Sequence, residues 1–360
     1  MTNRLRVLYV AYSLLPISDA SCGGAEQALL TLESQMKGRG HETMVAACSG
    51  SVVAGELLAT GESPARQDGF EARDAEHVEN ILSFMSQQDG PRFDLIHDHG
   101  GSFWRHAGRV DVPVLATLHL PRDFYPASSF QQLPPNLVVN CVSQSQARFF
   151  RDVTPPARVV CNGVQLQRFT FCEKKQDYLL WLGRICPEKG THVALDVARQ
   201  AGVRIVVAGQ IYPFSYHQEY FQREVVSRLS SMNGNARMVG GISFQAKLDL
   251  LRNARAVLIP SLVDETSSLV AMEAMACGTP VICLRCGALP EVVADGVTGF
   301  VAESPEAMVE AIFRTGAISA HACREHVQRN FAATRAADEY EELYRKVIAS
   351  ARSMAFAEAG

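Results

Sequence analysis

The chain has 360 residues, with 34 Lys and Arg against 38 Asp and Glu and a formal net charge of −4. That length fits about two domains, each large enough to bury a core. An apolar share of 47% and a charged share of 20% exclude a disordered, collagenous or coiled-coil chain, and the slightly acidic balance argues against a nucleic-acid partner, which would need a basic stripe to displace counterions.

The first apolar run, Val7 to Leu15 behind Arg4 and Arg6, has the outline of a signal peptide, but Asp19 breaks the pattern and a buried first strand is the simpler reading. From there short β-branched runs alternate with helical patterns. The predicted strands are 6–11, 43–48, 93–96, 114–119 and 137–142, then 178–182, 203–208, 236–239, 256–259 and 280–284. Helices are predicted over 25–39, 191–201, 244–253 and 268–277. Near-continuous apolar strands alternating with helices imply parallel sheets covered on both faces. Two such series predict an α/β protein of two Rossmann-like, doubly wound domains facing a central cleft.

The polar, aperiodic stretch Gln165 to Gln176 separates the two series and is the expected hinge. The expected domains are 1–168 and 169–335, with the amphipathic helix at 336–360 packing back on the first. No run approaches the ~20 apolar residues of a membrane span, and the chain is expected in the cytoplasm. Ten cysteines are scattered through apolar segments. The one CxxC, Cys283 to Cys286, lacks a second pair at metal spacing, so no metal is expected.

In open parallel sheets, ligands sit beyond the carboxyl ends of strands, so chemistry is sought in the loops that follow them. After the first strand come Gly23, Gly24 and Glu26, a turn whose amides suit an anion at a helix N-terminus. It is neither a GxGxxG nor a P-loop. His97-Asp98-His99 and then His119 and Arg122 end the next strands. Two His at i and i+2 on an extended chain share one face, with Asp98 on the other.

In the second series, Gly183-Arg184 and Lys189-Gly190 share one loop before the helix expected from Thr191, a fork and a point charge suited to a diphosphate. The most specific segment runs from Asp264 to Pro280, with Glu265 and Glu273 eight residues apart around Ser267, Ser268, Leu269 and Val270. Eight helical residues span about 12 Å, beyond the ~5–9.5 Å of a glycosidase carboxylate pair. No DxD occurs.

Glu265-x7-Glu273 followed by AMACGTPV, then GALPE (287–291) and DGVTGF (295–300), resembles the retaining family-4 glycosyltransferases, also known as group 1, of GT-B fold. The Gly-Gly-x-Glu turn, His119, Asn162-Gly163-Val164 and the GR…KG pair fall in that family's order, over essentially residues 5 to 350. The resemblance implies a UDP-sugar donor, UDP-glucose by preference, no cofactor and metal-independent transfer. By position, His119, Glu265, Arg184 and Lys189 would be catalytic. Gly23, Gly24, Arg184, Lys189, Ser267, Ser268, Leu269, Val270 and Glu273 would bind the donor.

Glu26, His97, His99 and Arg122 are acceptor-side candidates. Glu265-Thr266-Ser267-Ser268-Leu269 departs from the family's Glu-Gly-Phe-Gly-Leu, which leaves the donor sugar open. Residues 1–170 hold fourteen Lys and Arg against seventeen Asp and Glu, without a basic docking face, so a small-molecule or saccharide acceptor is expected rather than a membrane lipid. A non-catalytic sugar-nucleotide binding protein, an epimerase and a phosphorylase of the same layout are the rival readings. Release of free nucleoside diphosphate from a nucleotide sugar separates them.

Overall fold

The structure is a computed structural model that describes residues 4–21, 23–64, 69–87 and 93–358. Cys22, one of the ten cysteines, lies outside the described residues. The chain forms two units, 1–162 with 333–360 and 163–332.

The first unit is built on β1 (Arg6–Val10), α1 (Gly24–Gly38), β2 (Glu42–Ala47), β3 (Glu56–Ala59), α2 (Phe70–Met85), β4 (Leu95–Asp98), β5 (Val114–Leu118), β6 (Leu137–Cys141), α3 (Gln144–Arg148) and β7 (Arg158–Val159). Its seven strands lie in the order β3-β2-β1-β4-β5-β6-β7, all in parallel. The run at the chain's start is therefore a central strand, and Val7 to Val10 are almost fully buried. The strand expected at 93–96 is shifted two residues onward, which brings His97 and Asp98 into the sheet.

The second unit follows with β8 (Leu179–Arg184), α4 (Thr191–Ala201), β9 (Ile205–Gln210), α5 (Ser215–Tyr220), α6 (Val226–Ser231), β10 (Ala236–Val239), α7 (Phe244–Asn253), β11 (Ala256–Ile259), α8 (Leu269–Ala276), β12 (Val281–Leu284), α9 (Leu289–Val292), β13 (Gly299–Ala302), α10 (Pro305–Arg314) and α11 (Ala320–Asn330). Six parallel strands lie in the order β10-β9-β8-β11-β12-β13. Strand order reverses between β8 and β11, the place where a doubly wound sheet opens a ligand crevice.

The last helix, α12 (Ala333–Glu358), belongs to the first unit. Ala337, Tyr340, Leu343, Tyr344, Val347 and Ile348 join the buried cluster of β1, β2 and α1. Among the described residues no helix is long and apolar enough to cross a membrane.

The boundary expected at 168/169 falls instead after Asn162. Residues 165–176 are polar, yet they are bonded into the second unit rather than lying between the two. Phe169 is buried in that unit's core, and the Arg324 guanidinium donates to the carbonyls of Leu166 (3.0 Å) and Phe169 (2.6 Å). The Cys172 amide donates to Cys277 (3.1 Å) and the Gln176 amide to Asn253 (2.7 Å). The expected break at 335/336 likewise moves back to Ala332, because α12 already starts at Ala333.

Candidate active site

In the second unit, the loops after β8 and β11 meet at the switch point. β8 ends in Gly183-Arg184, and a short turn over Pro187–Lys189 leads to Gly190 at φ +62°. A Cβ at Gly190 would collide with the Pro260 carbonyl, so glycine is required for the loop to approach β11 this closely. Lys189 Nζ then lies 2.5 Å from Glu265 Oε1, and the Ser261 hydroxyl donates to the same oxygen. Arg184 lies 5.4 Å above the centre of the Tyr212 ring.

The loop that presents Glu265 is clasped from behind. The Ala288 amide donates to the Glu265 carbonyl (2.7 Å) and the Gly287 amide to Asp264 Oδ1 (3.2 Å). Gly287 has φ +52°, and a Cβ there would strike the Glu265 backbone. The Cys286 thiol donates to the Val263 carbonyl (2.9 Å), while Cys283 is buried in β12. The CxxC is thus two free thiols, one of them packing the loop that carries Glu265.

Ser268 caps α8 by accepting from the Ala271 amide (3.3 Å). The amides of Leu269 and Val270 precede the first intrahelical acceptor, so they can donate outward. Ser267 Oγ is buried with no hydrogen-bond partner. One turn into α8, Glu273 pairs with Lys247 on α7 at 2.7 Å, with both side chains largely buried. The structure therefore brings Lys189 and Glu265 together, with Ser267, Ser268, Leu269 and Val270 in sequence after them. Lys247 and Ser261 were not anticipated, because their partners are set by tertiary packing and no local spacing marks them.

The first unit arranges its strand-end residues differently. His97 and His99 do share a face, with ring centres 4.1 Å apart. The Asp98 carboxylate on the other face accepts from the amides of Gly100 (2.7 Å), Gly101 (3.2 Å) and Trp104 (2.8 Å). A chain of hydrogen bonds runs from His119 Nε2 to His99 Nδ1 (2.9 Å) and from His99 Nε2 to His97 Nδ1 (3.3 Å). It continues from His97 to the Tyr344 hydroxyl (2.7 Å) and Thr117 Oγ1 (2.7 Å). Tyr344 donates to the Tyr9 hydroxyl (3.2 Å), and Asn140 donates to that of Tyr340 (3.1 Å). Burial holds His97 and His99 well below the usual imidazole range and pulls His119 down to about 4. Of the three, only His119 is partly exposed.

This geometry bears on the four acceptor-side expectations and takes His97 and His99 out of an acceptor's reach. His97 and His99 are buried, and both nitrogens of each are engaged within the network, which makes them supports behind His119. Arg122 lies 4.7 Å over the Phe130 ring and 5.5 Å over that of Phe150, and it is paired with Asp152 at 3.7 Å. It therefore holds its own loop. The Glu26 carboxylate folds back against Gly23, where a Cβ would collide with it, and so occupies the start of α1 itself. Gly24 faces open space.

Residues 22–168 match the family described as Glycosyltransferase Family 4, and residues 165–315 match Glycosyl transferases group 1. The chain belongs to these glycosyltransferases. D-inositol 3-phosphate glycosyltransferase of Saccharomonospora viridis is 28% identical over 83% of this chain and 79% of its own length. Sucrose-phosphate synthase from Thermosynechococcus elongatus superposes with a TM-score of 0.80 at 18% identity, over 96% of this chain and 100% of that one. HepE of Anabaena in complex with UDP-glucose gives 0.74 at 16% identity, over 95% and 100%. These likenesses and the two parallel sheets establish the GT-B fold, and the glycosyltransferase is an enzyme of the transferase class.

Proposed function

We propose that this glycosyltransferase moves glucose from UDP-glucose to a hydroxyl of a small soluble acceptor, with retention of anomeric configuration and with no metal ion in the transfer step. The Lys189–Glu265 pair at the start of α8 carries this reading. A diphosphate brought to the helix start competes with Glu265 for the ammonium. Lys189, Arg184 and the free amides of Leu269 and Val270 then face the charge that grows on the leaving group, where preorganised donors lower the barrier most. Glu265, released from Lys189, accepts from the hydroxyls of the sugar.

Glu273, paired with Lys247, accepts from the ribose diol. Ser261 holds Glu265 in place, which suits a hydroxyl acceptor better than a nucleophile. Attack is therefore assigned to the face the diphosphate leaves from, and a diphosphate oxygen takes the acceptor's proton. His119, neutral at pH 7, offers a hydrogen bond to the sugar and no charge.

The UDP-glucose bound by HepE supports the choice of donor. The inositol phosphate in the name of the S. viridis relative supports a soluble polyol as acceptor. The nine described cysteines, all free thiols, fit the reducing cytoplasm.

The test is UDP release from UDP-glucose with a panel of polyol and saccharide acceptors, in chelator, with the product's anomeric carbon read by NMR. An α-linked product formed at the same rate in chelator is expected. A β-linked product, or loss of donor binding on chelation, would overturn the mechanism.

A further inference from the structure

The turn that carries Lys189 also carries a second cluster, which the transfer chemistry does not use. Cys186, Glu188 and His217 each offer a ligand atom, and these three atoms lie within 4.8 Å of one another, the one such group among the described residues. Cys186 and Glu188 stand in the turn after β8, and His217 lies on α5 after β9. These strands are adjacent and parallel, paired from Leu179↔Ile205 to Arg184↔Gln210, so their carboxyl ends bring both loops to one point. Nothing in the spacing announces the group, since its third member comes from another strand's loop.

The surroundings point to a missing partner. Cys186 and His217 are each 1% exposed. His217 Nδ1 and Glu188 Oε2 are both buried with no hydrogen-bond partner. An unpaired buried polar atom is costly, and two of them in one cluster are unusual in a well-satisfied fold. The rings of Tyr216 and Phe214, 4.2 and 5.1 Å from that of His217 by their centres, close off its sides.

We propose that Cys186, Glu188 and His217 form a binding site for one Zn²⁺ ion. Thiolate, imidazole and carboxylate together suit this borderline-soft cation and not Mg²⁺ or Ca²⁺, which take oxygen ligands. The thiolate and the carboxylate neutralise the dication, and the thiol proton leaves to solvent as the ion binds. A tetrahedron with Zn–S of about 2.3 Å and Zn–N of about 2.0–2.1 Å draws the three atoms inward, with the half-buried Glu188 side chain free to make most of the adjustment. Three protein ligands leave a fourth position open to water. A bound ion ties the turn that bears Lys189 to α5. The proposal is independent of the donor and acceptor assignments.

The test uses the full chain, stripped with chelator and titrated with Zn²⁺ by calorimetry and with Co²⁺ by absorption. One ion per chain is expected, with a thiolate-to-cobalt charge-transfer band and a rise in melting temperature on Zn²⁺ loading. Cys186→Ser and His217→Gln should weaken binding at least a hundredfold and abolish the temperature shift, and Glu188→Gln should weaken binding at least tenfold. Cys286→Ser should leave all of these unchanged. Absence of the cobalt–thiolate band in the wild type overturns the proposal whatever the variants do. So does binding that survives Cys186→Ser and His217→Gln, or that disappears equally in Cys286→Ser.

Discussion

The two units share one six-strand order, to which the first adds β7, and put polar residues at the same places, yet they treat them in opposite ways. At the strand ends of the first unit, His97, His99 and His119 are discharged by burial and woven into a network of hydroxyls. At the switch point of the second, Lys and Glu side chains stand in pairs, Lys189 with Glu265 and Lys247 with Glu273. A neutral network fixes shape and orients His119, while an ion pair beside an open helix start can exchange one partner for a diphosphate. Strand-end position alone therefore does not mark the proposed reacting centre, which is set apart by its ion pairs.

The largest effect expected from breaking this contrast is on the second unit. Arg184→Ala with Lys189→Ala should lower kcat/KM for UDP-glucose more than about a hundredfold, because both cations are proposed to face the leaving group. Retention of a tenth of the wild-type rate would remove these residues from the transition state.

Lys247→Met leaves Glu273 buried without its partner. Unfolding in urea should show a loss of about 3 kcal/mol, with donor KM raised and kcat kept. A fall in kcat at constant KM would instead place Lys247 at the reacting atoms.

Acidification sharpens the comparison. Burial lowers His77 and His119 to about 4 and holds His97 and His99 well below the usual range. The unfolded chain therefore takes up protons below pH ~6.5 that the folded unit refuses. Stability is full above pH ~6.5 and is lost as pH falls towards 4, by up to about 1.4 kcal/mol per pH step for each group. Asp98, raised to about 6 by burial, acts in the opposite sense below pH 6, but one carboxyl does not offset four imidazoles. The net loss from pH 7 to 5 should be at least about 2 kcal/mol in the first unit. With Trp104 buried in that unit and Trp181 in the other, Trp181→Phe and Trp104→Phe proteins report each separately by fluorescence. An equal acid sensitivity of both units would contradict the neutral network.

The smallest effect is that of Tyr344→Phe. It removes a hydroxyl shared by His97 and Tyr9 and should cost about 1–3 kcal/mol in stability, with turnover within about twofold of wild type.

The two sheets were legible in the sequence because their central strands are nearly continuous apolar runs. The strands not anticipated are the outer ones: β3, with Glu56 and Leu57 exposed, the two-residue β7, and β13 with its opening glycine. Glu265, Glu273 and the cap at Ser268 stand out in the sequence because one local segment carries a helix start and its charges, and Lys189 stands out beside the start of another helix. Lys247 and Ser261 were not, since only packing brings them to those glutamates. Burial was the other hidden variable. His97 and Arg122 read as strand-end chemistry, but the hydroxyls of Tyr344 and Thr117 and the rings of Phe130 and Phe150 that claim them lie 20 to 247 residues away or across a loop.

The most direct test of the Lys189–Glu265 pair as the receiver of the diphosphate is kcat/KM for UDP-glucose in Lys189→Ala, with the fold verified by circular dichroism. A drop of at least about tenfold, carried mainly by kcat, is expected. A wild-type rate in Lys189→Ala would contradict it.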